Sequence, residues 1–105
     1  PVADRKHDYH NTAQERALKA LLILAGHELE GLTPTQFANA LGIKPALATR
    51  DLWNLQHAGF AEQLASGKWR LGPKPVQIAL AFQRGLSDIN ARVNEITNRF
   101  TREPK

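Results

Sequence analysis

Apolar residues recur at helical spacing in four stretches of this chain and alternate at strand spacing in a fifth. In the first stretch, Leu18, Leu21, Leu22 and Ala25 fall three and four apart and mark the buried face of a helix. The run Thr12-Ala-Gln-Glu15 ahead of it is a capping-box pattern that launches that helix, and Gly26 to Gly31 closes it in a loop. Thr33, Pro34 and Gln36 then supply an N-cap, a proline at the first helical position and a capping-box glutamine. They predict a short second helix over Pro34 to Leu41 that buries Phe37, Ala38 and Leu41, with Gly42 as its C-cap. Pro45 starts a third helix that runs to about Ala58, with Leu47, Ala48, Leu52 and Leu55 on one face and a stop at Gly59.

Two helices joined by about three residues with glycine at the turn describe a helix-turn-helix. Phe60 to Leu64 and Lys68 to Leu71 read as strands around a tight Ala65-Ser66-Gly67 turn. In the second strand Trp69 and Leu71 alternate with Lys68 and Arg70, so one face packs while the other is cationic. A hairpin after the third helix makes the motif winged. The expected fold is mainly α with an α+β wing: a winged helix-turn-helix over 12–73 with a C-terminal helical extension over 74–105. Residues 1–11, polar and without period, read as a flexible arm, and the last residues, from Thr101 on, should fray.

In the extension, Ala79, Phe82, Leu86, Ile89, Val93, Ile96 and Phe100 alternate three and four apart, a heptad seam. Gly85 and Ser87 are candidate points for a kink or split. The seam has two readings, core against the first helix or a dimer interface. Exposed on a monomer it would be an unusually large apolar patch. The expectation is a homodimer paired through Phe82, Leu86, Ile89, Val93, Ile96 and Phe100.

Composition narrows the classes. The chain has 105 residues, 42% hydrophobic and 23% charged, the profile of an ordinary globular domain. It has no cysteine, which removes disulfides and thiolate metal sites and fits a cytoplasmic, nucleoid-associated protein. No apolar run approaches a membrane span. The net charge is +4, mildly favouring a polyanion. From Lys44 to Lys74 five cations (Lys44, Arg50, Lys68, Arg70, Lys74) face two anions (Asp51, Glu62), so most of that excess lies on the third helix and wing.

Four blocks resemble the DNA-binding region of the IclR family of bacterial regulators: RALKAL at Arg16 to Leu21, GLTPTQFANALGI at Gly31 to Ile43, RDLWNLQHAGF at Arg50 to Phe60 and KWRLGP at Lys68 to Pro73. The resemblance implies a winged helix-turn-helix regulator whose third helix reads DNA. This chain departs from the family in three places. Lys44-Pro45-Ala46 stands where the family has Pro-Lys-Ser, so Ala46 brings no hydroxyl to a phosphate. Asp51 replaces a leucine. The family's effector-binding domain is missing, so the chain is a DNA-binding fragment or a naturally short regulator with no small-molecule effector of its own. The opening Pro-Val, as left by removal of a start methionine, tilts the expectation to the short protein.

With Leu47, Leu52 and Leu55 inward, the third helix presents Ala46, Thr49, Arg50, Trp53 and Asn54 outward, and the first four, at i, i+3, i+4 and i+7, would enter a major groove together. Arg50 suits bidentate pairing with guanine, or else is tied up by Asp51 or Glu62. Asn54 suits adenine or a phosphate, and Thr49 a thymine methyl or a phosphate. Trp53 fits equally a groove edge and a cover over the wing or first helix. Gln36, Lys44, Lys68 and Arg70 are candidate phosphate ligands. The arm, with Arg5, Lys6, His7 and His10, reaches a minor groove or stays disordered. No catalytic set, cofactor motif or metal-ligand cluster is present, since His7 and His10 lack a third ligand. The reading is a sequence-specific double-stranded-DNA-binding transcription regulator. The alternative is a winged-helix protein-interaction module in a transcription, replication or transposition assembly.

Overall fold

The computed structural model describes residues 9–101. The elements run α1 (Thr12–Leu24), α2 (Pro34–Leu41), α3 (Pro45–His57), β1 (Ala61–Gln63), β2 (Trp69–Leu71) and α4 (Pro73–Thr101). The chain divides after Pro73 into two units. The calls on residues 1–8, including Arg5, Lys6 and His7, and on the fraying tail beyond Thr101 lie outside the described residues.

In the first unit α1 is capped one residue earlier than its capping-box pattern predicts. Asn11, not Thr12, accepts the Gln14 N–H, at 2.9 Å. Glu15 is drawn instead to Lys19 at 3.1 Å and to His10 at 2.9 Å. The Lys19 hydrogen bond, aided by the charge of His10, holds the Glu15 carboxyl below its usual range.

The buried face of α1 is also not the expected one. Ala20 and Leu24 enter the core with Ile23 beside them, whereas Leu18 and Leu22 are 65% and 77% exposed and Ala25 is exposed too. The run Ala20-Leu21-Leu22-Ile23-Leu24-Ala25 is apolar all round, so periodicity cannot choose its inner side. Arg16 lies four residues before Ala20 and eight before Leu24, on the same face. It bonds Asp51 on α3, which agrees with the face that α1 turns to the core.

The capping box of α2 forms as the sequence predicts: Gln36 N–H donates to Thr33 Oγ1 (3.1 Å) and Thr33 N–H to Gln36 Oε1 (3.0 Å). Gly42 ends the helix at φ +69°, in the left-handed region that glycine adopts without a Cβ penalty. Phe37 and Ala38 are buried against Ala48 and Leu52 of α3. Leu47 is half-buried and stands outside this cluster, a correction to the inward face expected for it.

The hairpin is shorter than its sequence pattern. β1 and β2 pair antiparallel with Ala61 opposite Leu71, Glu62 opposite Arg70 and Gln63 opposite Trp69. A third partner was not anticipated. Leu32, between α1 and α2, exchanges both backbone hydrogen bonds with Trp69 at 2.7 Å. Gly31 permits this approach, because a Cβ there would lie 2.9 Å from Lys68 Cβ and 3.0 Å from the Trp69 carbonyl. Trp69, 2% exposed, thus joins the hairpin, the α1–α2 loop and the core.

The second unit, from Lys74 on, is carried by α4, a single 29-residue helix from Pro73 that passes through Gly85 and Ser87 without a break. One interior glycine costs about 1 kcal/mol relative to alanine, too little to end a helix of that length. None of its residues is buried. No helix among the described residues is long and apolar enough to cross a membrane.

Candidate nucleic-acid interface

The outer side of α3 is built by the burial of Ala48 and Leu52 on its inner side. Ala46, Thr49, Arg50, Trp53 and Asn54 are all exposed there. Helical spacing puts Ala46, Arg50 and Trp53 in one row, and the next member of that row is His57, also exposed. His57 was missed by sequence reasoning, although the same i, i+4, i+7 step carried one turn further leads to it.

The charges around this row are sorted by ion pairing. Both Asp51 oxygens are taken by Arg16 of α1: Nε donates to Oδ2, and Nη2 to Oδ1 at 3.1 Å. That hydrogen bond raises the pKa of Arg16 further, so its charge is permanent. Glu62 is taken by Arg70 Nε at 2.6 Å across the hairpin. Neither carboxylate is left for Arg50, which makes no ion pair among the described residues. Lys44 and Lys68 of the same unit make none either. Arg70 is committed internally on both sides, since its Nη1 also donates to the Glu28 carbonyl at 3.1 Å. Its guanidinium therefore fastens the wing to the α1–α2 loop, which weakens the case for it as a free phosphate ligand and leaves Lys68 as the wing's unpaired cation.

Two hydrogen bonds narrow other candidates. Thr49 Oγ1 donates to the Pro45 carbonyl at 3.1 Å, so of its two expected contacts the methyl against thymine needs no rearrangement and a phosphate contact does. Gln36 turns its carbonyl oxygen back to Thr33, leaving its amide N–H groups as the only donors to offer. Lys44 is the N-cap of α3 and makes no capping bond, so a cation stands beside uncapped backbone N–H groups. Asn54 borders an open cleft of about 280 Å³ between α3 and α1, lined also by Ala13, Arg16, Ala17, Asp51 and Leu55.

Trp53 packs edge-on against Trp69, with ring centroids 5.3 Å apart and planes at 83°. It is 51% exposed, so it covers the wing and still borders the outer row. Those are the two chain tryptophans, in one contact. On α4, Phe82, Leu86, Ile89, Val93, Ile96 and Phe100 are all exposed. Among the described residues no group of three or more His, Asp or Glu side chains is placed to hold a metal ion.

No protein-family model matches the chain, and no curated protein matches it. Solved structures do. The chain is similar to an IclR transcriptional regulator from Alicyclobacillus acidocaldarius, with 25% identity and TM-score 0.61 over 67% of this chain and 28% of that one. It is similar to HmgR from Pseudomonas aeruginosa, with 27% identity and TM-score 0.58 over 68% of this chain and 29% of that one. A variant of MepR from Staphylococcus aureus, bound to an oligodeoxyribonucleotide, shares the fold at 19% identity and TM-score 0.52 over 76% of this chain and 62% of that one. The chain thus spans under a third of the length of the first two regulators. Its fold is a winged helix-turn-helix of the kind IclR-type regulators carry, mainly α with a two-stranded wing.

Proposed function

We propose that this chain is a sequence-specific, double-stranded-DNA-binding transcription regulator that acts as a homodimer. The observation that carries the reading is the state of Arg50: exposed at the centre of the outer row of α3, with Asp51 beside it and Glu62 of the wing each occupied by another arginine. An exposed guanidinium with no internal partner among the described residues is available to donate to a base edge. Lys44 and Lys68 flank it as phosphate ligands, Thr49 and Asn54 are further base or phosphate contacts, and Gln36 and Ala46 lie near the backbone.

Fluorescence anisotropy against mixed duplex DNA tests this at two salt concentrations. Each phosphate neutralised contributes about −0.9 to the slope of log K against log salt. A dimer that sets Lys44 and Lys68 of each copy on phosphates is therefore expected near a slope of about −3.6. Absent or salt-insensitive binding overturns the reading. It would favour a winged-helix protein-interaction module, to which the exposed Leu18 and Leu22 of α1 already lend support.

The homodimer rests on the heptad row from Phe82 to Phe100. Two copies pairing along it would carry two recognition helices, matching half-sites roughly 34 Å apart in a palindromic operator. An aspartate at Ile89 or Val93 places a charge in that seam, so Ile89→Asp and Val93→Asp are expected to sediment as monomers. An unchanged mass removes the seam as the interface.

A further inference from the structure

The recognition helix is held on two opposite flanks. Asp51 and Trp53 are two residues apart, which places them roughly 200° apart around a helix. On one flank Asp51 receives two hydrogen bonds from Arg16 of α1. On the other, Trp53 rests edge-on against Trp69 of the wing. Arg50 lies on the surface between these attachments.

The Arg16–Asp51 pair differs from the other ion pairs of the protein. Its side chains are only 19% and 14% exposed, the least among the described residues' ion pairs, against 35% and 43% for Arg70–Glu62, the next least exposed. It is two-pronged, and a guanidinium held at two donors fixes direction as well as distance. It also joins residues 35 apart in sequence, so it constrains one helix against another rather than one turn against the next. Asp51 is the sole carboxylate on α3 and directly follows Arg50. Without Arg16 it would be free to draw Arg50 sideways and to repel a phosphate.

We propose that Arg16 is a positioning residue for the DNA-reading helix: through Asp51 it sets the rotation of α3 and keeps that helix's only carboxylate away from Arg50. The inference rests on the regulator reading for its consequence in DNA binding, but the rotation itself has a readout that needs no DNA. Because both tryptophans form one edge contact, turning α3 changes their mutual orientation and hence their coupled circular-dichroism signal.

The experiment compares Arg16→Gln, Asp51→Asn and the exchanged pair Arg16→Asp with Asp51→Arg in the full chain. Tryptophan circular dichroism and melting are recorded first. Affinities for a duplex selected from a random pool and for a scrambled one follow at fixed salt. Each single variant should alter the tryptophan signal and lower the selected-to-scrambled affinity ratio about tenfold, within the range for losing one base contact. In Asp51→Asn the scrambled affinity should hold or rise, because an anion has gone. The exchanged pair should recover the tryptophan signal and, where a single variant unfolds, the fold as well. Folded single variants with an unchanged tryptophan signal and ratio overturn the proposal, as does an exchanged pair that recovers neither signal nor fold. A wild-type chain that binds no DNA ends the regulator reading, while the tryptophan signal still decides whether Arg16 orients α3.

Discussion

Trp69→Ala is expected to unfold the first unit at moderate temperature. Trp69 is the largest of the fully buried side chains and sits with Leu24, Phe37 and Leu52 in one cluster. Truncating a buried tryptophan costs about 3–5 kcal/mol in lost transfer and cavity terms. A unit of this size has a total stability on the order of 3–9 kcal/mol, so the loss takes much or all of it. At roughly 4–8 °C per kcal/mol for a small domain, the melting temperature should fall by about 12–40 °C. The backbone pairing with Leu32 does not require the indole, but the indole keeps the α1–α2 loop against the wing. Trp53→Ala is the contrasting case. Its ring is half exposed, and an aromatic pair contributes only about 0.5–1.5 kcal/mol beyond area burial. A thermal melt followed by circular dichroism separates the two, and a Trp69→Ala melt within a few degrees of wild type would mean that the wing is not part of the core.

The elements that end in punctuation were the ones legible in the sequence. Thr33-Pro34 with Gln36, Gly42 and Pro45 each impose a backbone state that little else satisfies; Pro34–Leu41 begins and ends, and Pro45–His57 begins, where those residues place them. The rotation of α1 was not legible. Six apolar residues in a row carry no phase, and the polar residue on the buried side, Arg16, is matched to a partner 35 positions away. Asp51 was visible as a departure from the resembling family, but its meaning required its partner. The same holds for Arg70, which sequence reading counted with the free cations of the wing and which the fold ties to Glu62 and the Glu28 carbonyl. Charge pairing is a long-range property, so counting cations gives the sign of a surface and not its available ligands. The Leu32 bridge escaped for a related reason: one residue of strand has no alternation to detect.

Arg50→Ala is expected to remove most of the discrimination among DNA sequences while leaving the unit folded. The side chain is exposed and has no partner among the described residues, so its removal leaves no orphaned group, and surface changes of that kind stay within about 0.5 kcal/mol in stability. In the complex the same guanidinium would donate two hydrogen bonds to one guanine edge, a contact that discriminates by about 1–3 kcal/mol. For each half-site the loss on the selected duplex is then about 5- to 150-fold, and a dimer incurs it twice. On scrambled DNA the loss should be small. Arg50→Lys keeps the charge but not the two-pronged geometry, so it should retain the salt slope and lose most of the discrimination. Lys44→Ala should behave in the opposite way, weakening every duplex alike and lowering the slope by about 1 per copy. Anisotropy titrations of the three variants on the selected and scrambled duplexes distinguish these patterns. If Arg50→Ala weakens both duplexes equally, Arg50 is a phosphate ligand, and base reading passes to Asn54 and Thr49 on the same helix.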